Sequence, residues 1–193
     1  MIKAPWIKLG QRILELPVSK SNEGFYVPIL AKADEQVGAM LSHHCKVLVF
    51  RLDLHVYEPS DNNMVISTFI RQYRQRLKRS LELNRLGFLW CRERHKSDKQ
   101  HYHVTFMVDG NKHQHPSLLI DIAKMYWDER DIGTIYTPKQ CYQLLKRGDE
   151  ATYQRVFEHL SYLAKVFSKG SKDAATNDYE GSRIKMKEHV LIA

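Results

Sequence analysis

Residues 88–109, FLWCRERHKSDKQHYHVTFMVD, decide the fold. FLWCRER at 88–94 and HYHVTFMVD at 101–109 flank a polar stretch, the pattern of a β-hairpin with a long loop. In the second arm Tyr102, Val104, Phe106 and Val108 alternate onto one face, and His101, His103 and Thr105 onto the other. A roughly symmetric loop sets Glu93 opposite or nearly opposite His101, so that Glu93, His101 and His103 share one face.

Working outward, KVLVFRLDLHVY at 46–57 reads as a further strand. Leu48, Phe50, Leu52, Leu54 and Val56 form its apolar face, and Arg51, Asp53 and His55 the other, which is expected to be solvated or to line a cleft. SDNN at 60–63 offers an N-cap to a helix whose apolar stripe is Ile66, Phe69, Ile70, Tyr73, Leu77 and Leu81. The rest of that helix is basic, with Arg71, Arg74, Arg76, Lys78 and Arg79, which fits a solvated face or a phosphate-contacting one equally. Pro116 opens a helix over 116–129. GTIY at 133–136 is strand-like, a helix is expected from Pro138, and 149–169 reads as a strong helix. Residues 1–44 read as an arm with short strands and a short helix over 31–44, and 171–193 as a polar, basic, loose tail. The order implies an α+β fold with an antiparallel sheet core and flanking helices, its main domain spanning 45–170.

The chain has 193 residues, 43% hydrophobic and 27% charged, which excludes a wholly disordered or low-complexity protein. No apolar run is long enough to span a membrane, and the N-terminus lacks the apolar block of a signal peptide, so a cytoplasmic protein is expected. Thirty Lys and Arg against 22 Asp and Glu give a net charge of +8, which points to an anionic partner, nucleic acid before membrane surface. Cys45, Cys91 and Cys141 are odd in number and far apart, which suits buried thiols in a reducing compartment rather than disulfides or a cysteine zinc site.

The histidines carry the chemistry. His-x-His on a strand aims two imidazoles the same way, about 7 Å apart along the chain, and lets both reach one cation. Glu93 on the neighbouring strand completes a three-ligand set with positions left open. Mixed imidazole and carboxylate donors suit Mg²⁺, Mn²⁺ or another first-row metal. The plain alternative is a pair of solvent-facing histidines. Other His-x-His chemistries lack their partners: a cupin glutamate is replaced by Met107 and Val108, and Thr105 and Phe106 stand where a metallo-β-lactamase motif needs Asp and His. On the 149–169 helix the apolar stripe runs Tyr153, Val156, Phe157, Leu160, Ala164 and Phe167. At 100° per residue Tyr162 falls about 180° from Tyr153, on the polar face with Arg155, Glu158, Lys165 and Lys169. A phenol there is either an ordinary exposed tyrosine or a nucleophile for a phosphate, with Lys165 one turn on favouring the phenolate.

RLDLH at 51–55, WCRER leading to HYHVTF, and SYLAK at 161–165 together resemble the HUH endonucleases, and more closely the inovirus-type replication proteins and their prophage relatives of the YagK/YfjJ family. The resemblance covers roughly residues 45–170 and implies a ferredoxin-like or RRM-like sheet core. It maps the HUH triplet onto His101, Tyr102 and His103, the third ligand onto Glu93, and the YxxK element of single-tyrosine replication initiators onto Tyr162 and Lys165. Tyr102, a residue with a polar tip, is a departure at the middle position, and no second tyrosine follows Tyr162 at three or four residues.

What the resemblance implies is metal-dependent nicking and joining of single-stranded or hairpin origin DNA. Tyr162 would form a 5′-phosphotyrosine and free a 3′-OH for host polymerase, initiating rolling-circle replication of a phage, prophage or related element. Arg51, Asp53 and His55 would orient the ligands, with His55 an alternative to Glu93 as the third ligand. Arg71, Arg74, Lys78, Arg155 and Lys169 would hold DNA phosphates. With no GxxxxGK[ST] motif, unwinding falls to a host helicase. Two rivals stay open at this point: a non-catalytic DNA-binding regulator on the same scaffold, and a metal-dependent nuclease that uses water.

Overall fold

A computed structural model of the chain describes residues 1–17, 24–94, 100–165 and 178–188. It has the α+β architecture with antiparallel pairing throughout the main sheet. The chain begins with a small hairpin of β1 (Trp6–Leu9) and β2 (Arg12–Glu15), followed by helix α1 (Val27–His43). Then come β3 (Lys46–Val56), α2 (Met64–Leu81), β4 (Gly87–Arg94), β5 (Gln100–Asp109) and α3 (Ser117–Asp128). The remaining elements are β6 (Gly133–Tyr136), β7 (Tyr142–Lys146), α4 (Glu150–Ser161) with a 3₁₀ turn over Tyr162–Ala164, and β8 (Tyr179–Gly181).

The sheet runs β6-β3-β5-β4-β8, and β7 joins β6 on the same edge of β3. β3 is long enough to take both: Asp53–Val56 pair with β6, and Lys46–Phe50 with β7. Between the two the ladder is kept by Arg51 N, which donates to the Cys141 carbonyl at 2.8 Å. Gly133 sits where any Cβ would collide with the His55 carbonyl, so glycine admits β6 this close to β3.

Helices cover both faces. Leu48, Phe50, Leu52, Leu54, Tyr102, Val104, Phe106 and Val108 pack under α2 and α3 with Phe69, Tyr73, Tyr126 and Trp127. Burying one such phenylalanine contributes about 1.5–3 kcal/mol. The opposite face carries Val47, Val49, Leu89, Cys91 and Met107, covered by α1, α4 and the β1–β2 hairpin through Leu30, Val37, Val156, Phe157 and Leu14.

Four expectations are corrected. The helix expected at 31–44 begins at Val27, with Pro28 in its first turn, where a missing N–H costs nothing. The segment after Pro138 forms strand β7, because β3 still has an open edge for Lys146–Tyr142 to fill. The helix expected over 149–169 ends as α-helix at Ser161. The tail expected to be loose supplies β8, which pairs with β4 from Leu89 to Cys91, and Ser182, a buried residue bonded to Gln36 and to the Phe88 N–H. The N-cap of α2 falls within the expected SDNN stretch: Asn63 is the cap residue, and the side chain of Asn62 accepts from the Met64 N–H at 2.9 Å.

Candidate functional site

Register builds the site. Residues directly opposite in an antiparallel ladder point to the same face. His55, His101 and Glu93 form one such row across β3, β5 and β4, and Asp53, His103 and Cys91 form the next. The third row is Arg51, Thr105 and Leu89, after which Val49 and Met107 carry the face into the apolar core. One sheet face therefore changes along its length from core to chemistry. The sequence pattern marks only its ionisable end; Val47 and Val49 show that β3 is buried on both sides at the other end.

Glu93 Oε2 lies 3.1 Å from His101 Nε2 and 3.2 Å from His103 Nε2. One ligand atom from each of Glu93, His101 and His103 lies within 4.8 Å of the others. A cation holding ligands at about 2.1 Å sets adjacent donor atoms about 3 Å apart, so the Glu93 separations fit a shared ion. Glu93 and His103 are 4% and 5% exposed. Although His103 Nε2 is at ion-pair distance from Glu93, it makes no hydrogen bond of good geometry and is buried. A buried nitrogen lone pair aimed at two other donors is the disposition a metal ligand needs. The residues thus fit a divalent ion, in agreement with the strand pattern. His55, the alternative ligand, is stacked on the His101 ring at 5.1 Å and stands outside the three-residue group.

Asp53 sets the orientation of His103. Its Oδ1 lies 2.8 Å from His103 Nδ1 and accepts that N–H, which leaves Nε2 with its lone pair turned to the metal position. Arg51 donates to both Asp53 oxygens, at 2.8 and 3.1 Å. Arg51 Nη2 is also 2.8 Å from His103 Nδ1, but a protonated Nδ1 cannot accept, and the carboxylate is the better partner for both donors. Burial works to raise the Asp53 pKa, yet the hydrogen bonds from His103 and Arg51 outweigh it and hold the carboxyl below its ordinary value. For His103, burial works to lower the pKa, and the bond to Asp53 together with the nearby Glu93 carboxylate overcomes it and raises it.

Tyr162 reaches this group from the opposite layer. It opens the 3₁₀ turn at the end of α4, where Lys165 forms a bridge with Phe25 and the Ala164 carbonyl accepts from Tyr26 N–H. Its ring meets the His103 ring edge-on at 5.2 Å, with the Arg51 guanidinium carbon 4.1 Å and Lys165 Nζ 4.6 Å from the ring centroid. Tyr162 remains 39% exposed. Tyr153 is core, as expected, with its hydroxyl donating to Asp34 Oδ1 at 2.6 Å.

Not every expected residue converges here. Arg155 is exposed on α4, two turns before Tyr162. Arg71, Arg74 and Lys78 are exposed on α2, which covers the other face of the sheet. Lys169 lies outside the described residues. Helical periodicity shows that α2 has a basic face but carries no information on which side of the sheet it packs. The 137–141 turn beside Arg51 has no sequence signal of its own, because Pro138 reads there as a helix start.

A strand-borne histidine–glutamate group facing a tyrosine at a helix end defines an α+β domain with a candidate metal centre. The chain belongs to the YagK/YfjJ C-terminal domain family, a prophage-associated family whose model matches residues 11–177. No curated protein and no solved structure matches the chain. Among the described residues no helix is long and apolar enough to cross a membrane.

Proposed function

We propose that this protein is an HUH-type endonuclease and strand transferase that nicks and rejoins single-stranded DNA through Tyr162. The observation that carries this reading is the edge-on approach of the Tyr162 ring to the His103 ring, 5.2 Å between centroids, which joins a phenol to a metal-ligand group built on a different layer of the fold. Membership of a prophage-associated family and a net charge of +8 support a nucleic-acid substrate from a mobile element.

Mg²⁺ or Mn²⁺ bound by Glu93, His101 and His103 would polarise the scissile phosphate and offset the charge that builds up on it. Asp53 keeps His103 in the tautomer that ligates. Arg51 and Lys165 flank the tyrosine ring with positive charge, which attracts the phosphate toward the hydroxyl. The phenolic oxygen forms a bond to phosphorus as the bond from phosphorus to O3′ breaks, and the phenolic proton passes through solvent to the departing 3′ oxygen. The 5′ phosphate stays on Tyr162 and the free 3′-OH primes host polymerase. Because the phosphodiester energy is kept in the covalent link, a second transesterification reseals the strand without a nucleoside triphosphate. A host helicase would supply unwinding for rolling-circle replication, in the host cytoplasm.

The test is a randomised single-stranded DNA pool, labelled at the 3′ end and incubated with the full chain and Mn²⁺. A labelled band at the mass of protein plus DNA on a denaturing gel is the expected result, absent from Tyr162→Phe. Free 5′-phosphate ends without adduct would indicate a water-using nuclease, and binding without cleavage a DNA-binding regulator.

A further inference from the structure

Beside Tyr162 the sheet opens into a cleft of about 270 Å³. Its walls are the 137–141 turn on one side and the end of α4 with Pro17 on the other, and Arg51, Tyr162 and Lys165 border the candidate site. The cleft exists because β3 has two partners on one edge: β6 ends at Tyr136, β7 starts at Tyr142, and residues 137–140 leave the ladder before Cys141 rejoins it. Lys139 and Lys165 line the cleft with Arg51, whose charge is shared with Asp53, and the one carboxylate of the lining, Glu158, accepts from Gln154 at 2.9 Å. The volume is just under the roughly 300–1,000 Å³ of drug-sized ligand sites, room for one nucleoside rather than an oligomer.

At the lip, Gln140 has a left-handed backbone, φ +54°. Glu82 and Asp131 share this conformation at other turns, so what distinguishes Gln140 is its place on the rim of the cleft. Gln140 is exposed and presents a carboxamide, the one side-chain group with Asn that donates and accepts in the geometry of an adenine edge.

We infer that this cleft is the subsite for the nucleotide adjoining the scissile phosphate, with Gln140 reading its base edge and Lys139 contacting its phosphate. The inference rests on the proposed nicking reaction: a phosphate within reach of Tyr162 places its neighbouring nucleotide in the depression that Tyr162 borders. It also stands apart from that reaction, because base selection by the cleft is a property of binding.

The experiment selects bound sequences from the same randomised single-stranded pool with the full chain in EDTA, and sequences the adducts formed with Mn²⁺ in parallel. Wild type should enrich one base at one position, about 5- to 100-fold, the discrimination of a bidentate amide contact. Gln140→Gly, which adopts the same φ freely and removes only the side chain, should erase that enrichment without lowering the melting temperature. Lys139→Gln should leave the preference intact and reduce the slope of log affinity against log salt by about 0.7. An unchanged preference in Gln140→Gly, or none in wild type, overturns the inference. Selection that Gln140→Gly erases, without any Mn²⁺-dependent adduct, would sustain the cleft while sinking the nicking reaction. If adducts do form, the position of the enriched base tells whether the cleft takes the 5′ or the 3′ neighbour.

Discussion

The guanidinium carbon of Arg51 lies 4.1 Å from the centroid of the Tyr162 ring while its nitrogens donate to both oxygens of Asp53. One side chain therefore ties the proposed nucleophile to the carboxylate that orients a metal ligand. Arg51→Gln removes both the cation at the ring and the paired donors to Asp53, yet leaves Glu93, His101 and His103 in place. Adduct formation should fall by up to about 100-fold, the cost of a misplaced reacting group. Mn²⁺ affinity by calorimetry should change much less. A parallel collapse of both would mean that Arg51 supports the metal group alone.

Asp53→Asn tests the orienting bond itself. Asn keeps the shape but can present its amide nitrogen to His103 Nδ1 and so favour the wrong tautomer. Mn²⁺ affinity should drop about 10- to 100-fold, as for other residues that hold a ligating histidine. Glu93→Gln, which removes a ligand, should cost more, and the double change His101→Ala with His103→Ala should abolish the Mn²⁺-dependent rise in melting temperature. Equal losses for Asp53→Asn and Glu93→Gln would contradict the division of roles.

Tyr162→Phe removes one oxygen from a ring that is 39% exposed and keeps its contacts with Arg51 and His103. Stability should change by no more than about 0.5 kcal/mol, and metal and DNA binding should persist. The adduct should vanish. Tyr153→Phe is the opposite control: it takes the hydroxyl partner from the half-buried Asp34 carboxyl and should cost about 1 kcal/mol in denaturant unfolding while leaving adduct formation by the folded fraction intact. Tyr179 is in β8, so Tyr179→Phe reports on that edge of the sheet rather than on a loose tail.

The basic face of α2 lies across the sheet from the candidate site. Arg71, Arg74 and Lys78 can meet DNA bound at Tyr162 only if the strand passes around the domain, a path that includes a helix layer roughly 10 Å thick. Neutralising the three should therefore leave the salt slope for a short oligonucleotide unchanged. With a long single strand or hairpin it should lower that slope by about 0.7 for each lost contact. A reduced slope with the short oligonucleotide would place the DNA path on the α2 face.

His44 gives a pH prediction away from the site. Its Nδ1 is 3.2 Å from Asp109 Oδ2, but burial, the largest influence, outweighs that carboxylate and leaves its pKa below the ordinary value. Between about pH 6.5 and the lower folded value the unfolded chain binds a proton that the folded protein refuses. The stability contributed by neutral His44 is thus complete above that window and lost as pH falls through it. His44→Asn keeps a donor toward Asp109 and cannot titrate, so its melting temperature should decline less than wild type's between pH 7.5 and pH 5.

The two-residue period makes Glu93, His101 and His103 legible in the sequence alone, because one glutamate in phase with His-x-His leaves little freedom in how a hairpin can arrange them. The same period misleads at Val47 and Val49, which alternate with Leu48 and Phe50 on a strand buried on both faces at that end. Pro138 resembles a helix start, and only the open edge of β3 makes the following segment the strand β7. β8 reads as polar coil, YEG, and owes its strand geometry to Leu89, Trp90 and Cys91 across the ladder. Helical phase puts Tyr162 on the correct side of α4, but its approach to His103 depends on two layers that no local pattern relates.

The bridges from Ile2 to Phe25 and from Phe25 to Lys165 join the first residues of the chain to the turn that bears Tyr162. During synthesis the histidines and Glu93 leave the ribosome well before Tyr162, and the amino-terminal segment waits longer still for its distant partner. A nascent or truncated chain would thus pair the hairpin that carries Glu93, His101 and His103 while Tyr162 is unanchored. The proposed nicking competence would be acquired last, when the amino-terminal segment and the turn after α4 close on each other.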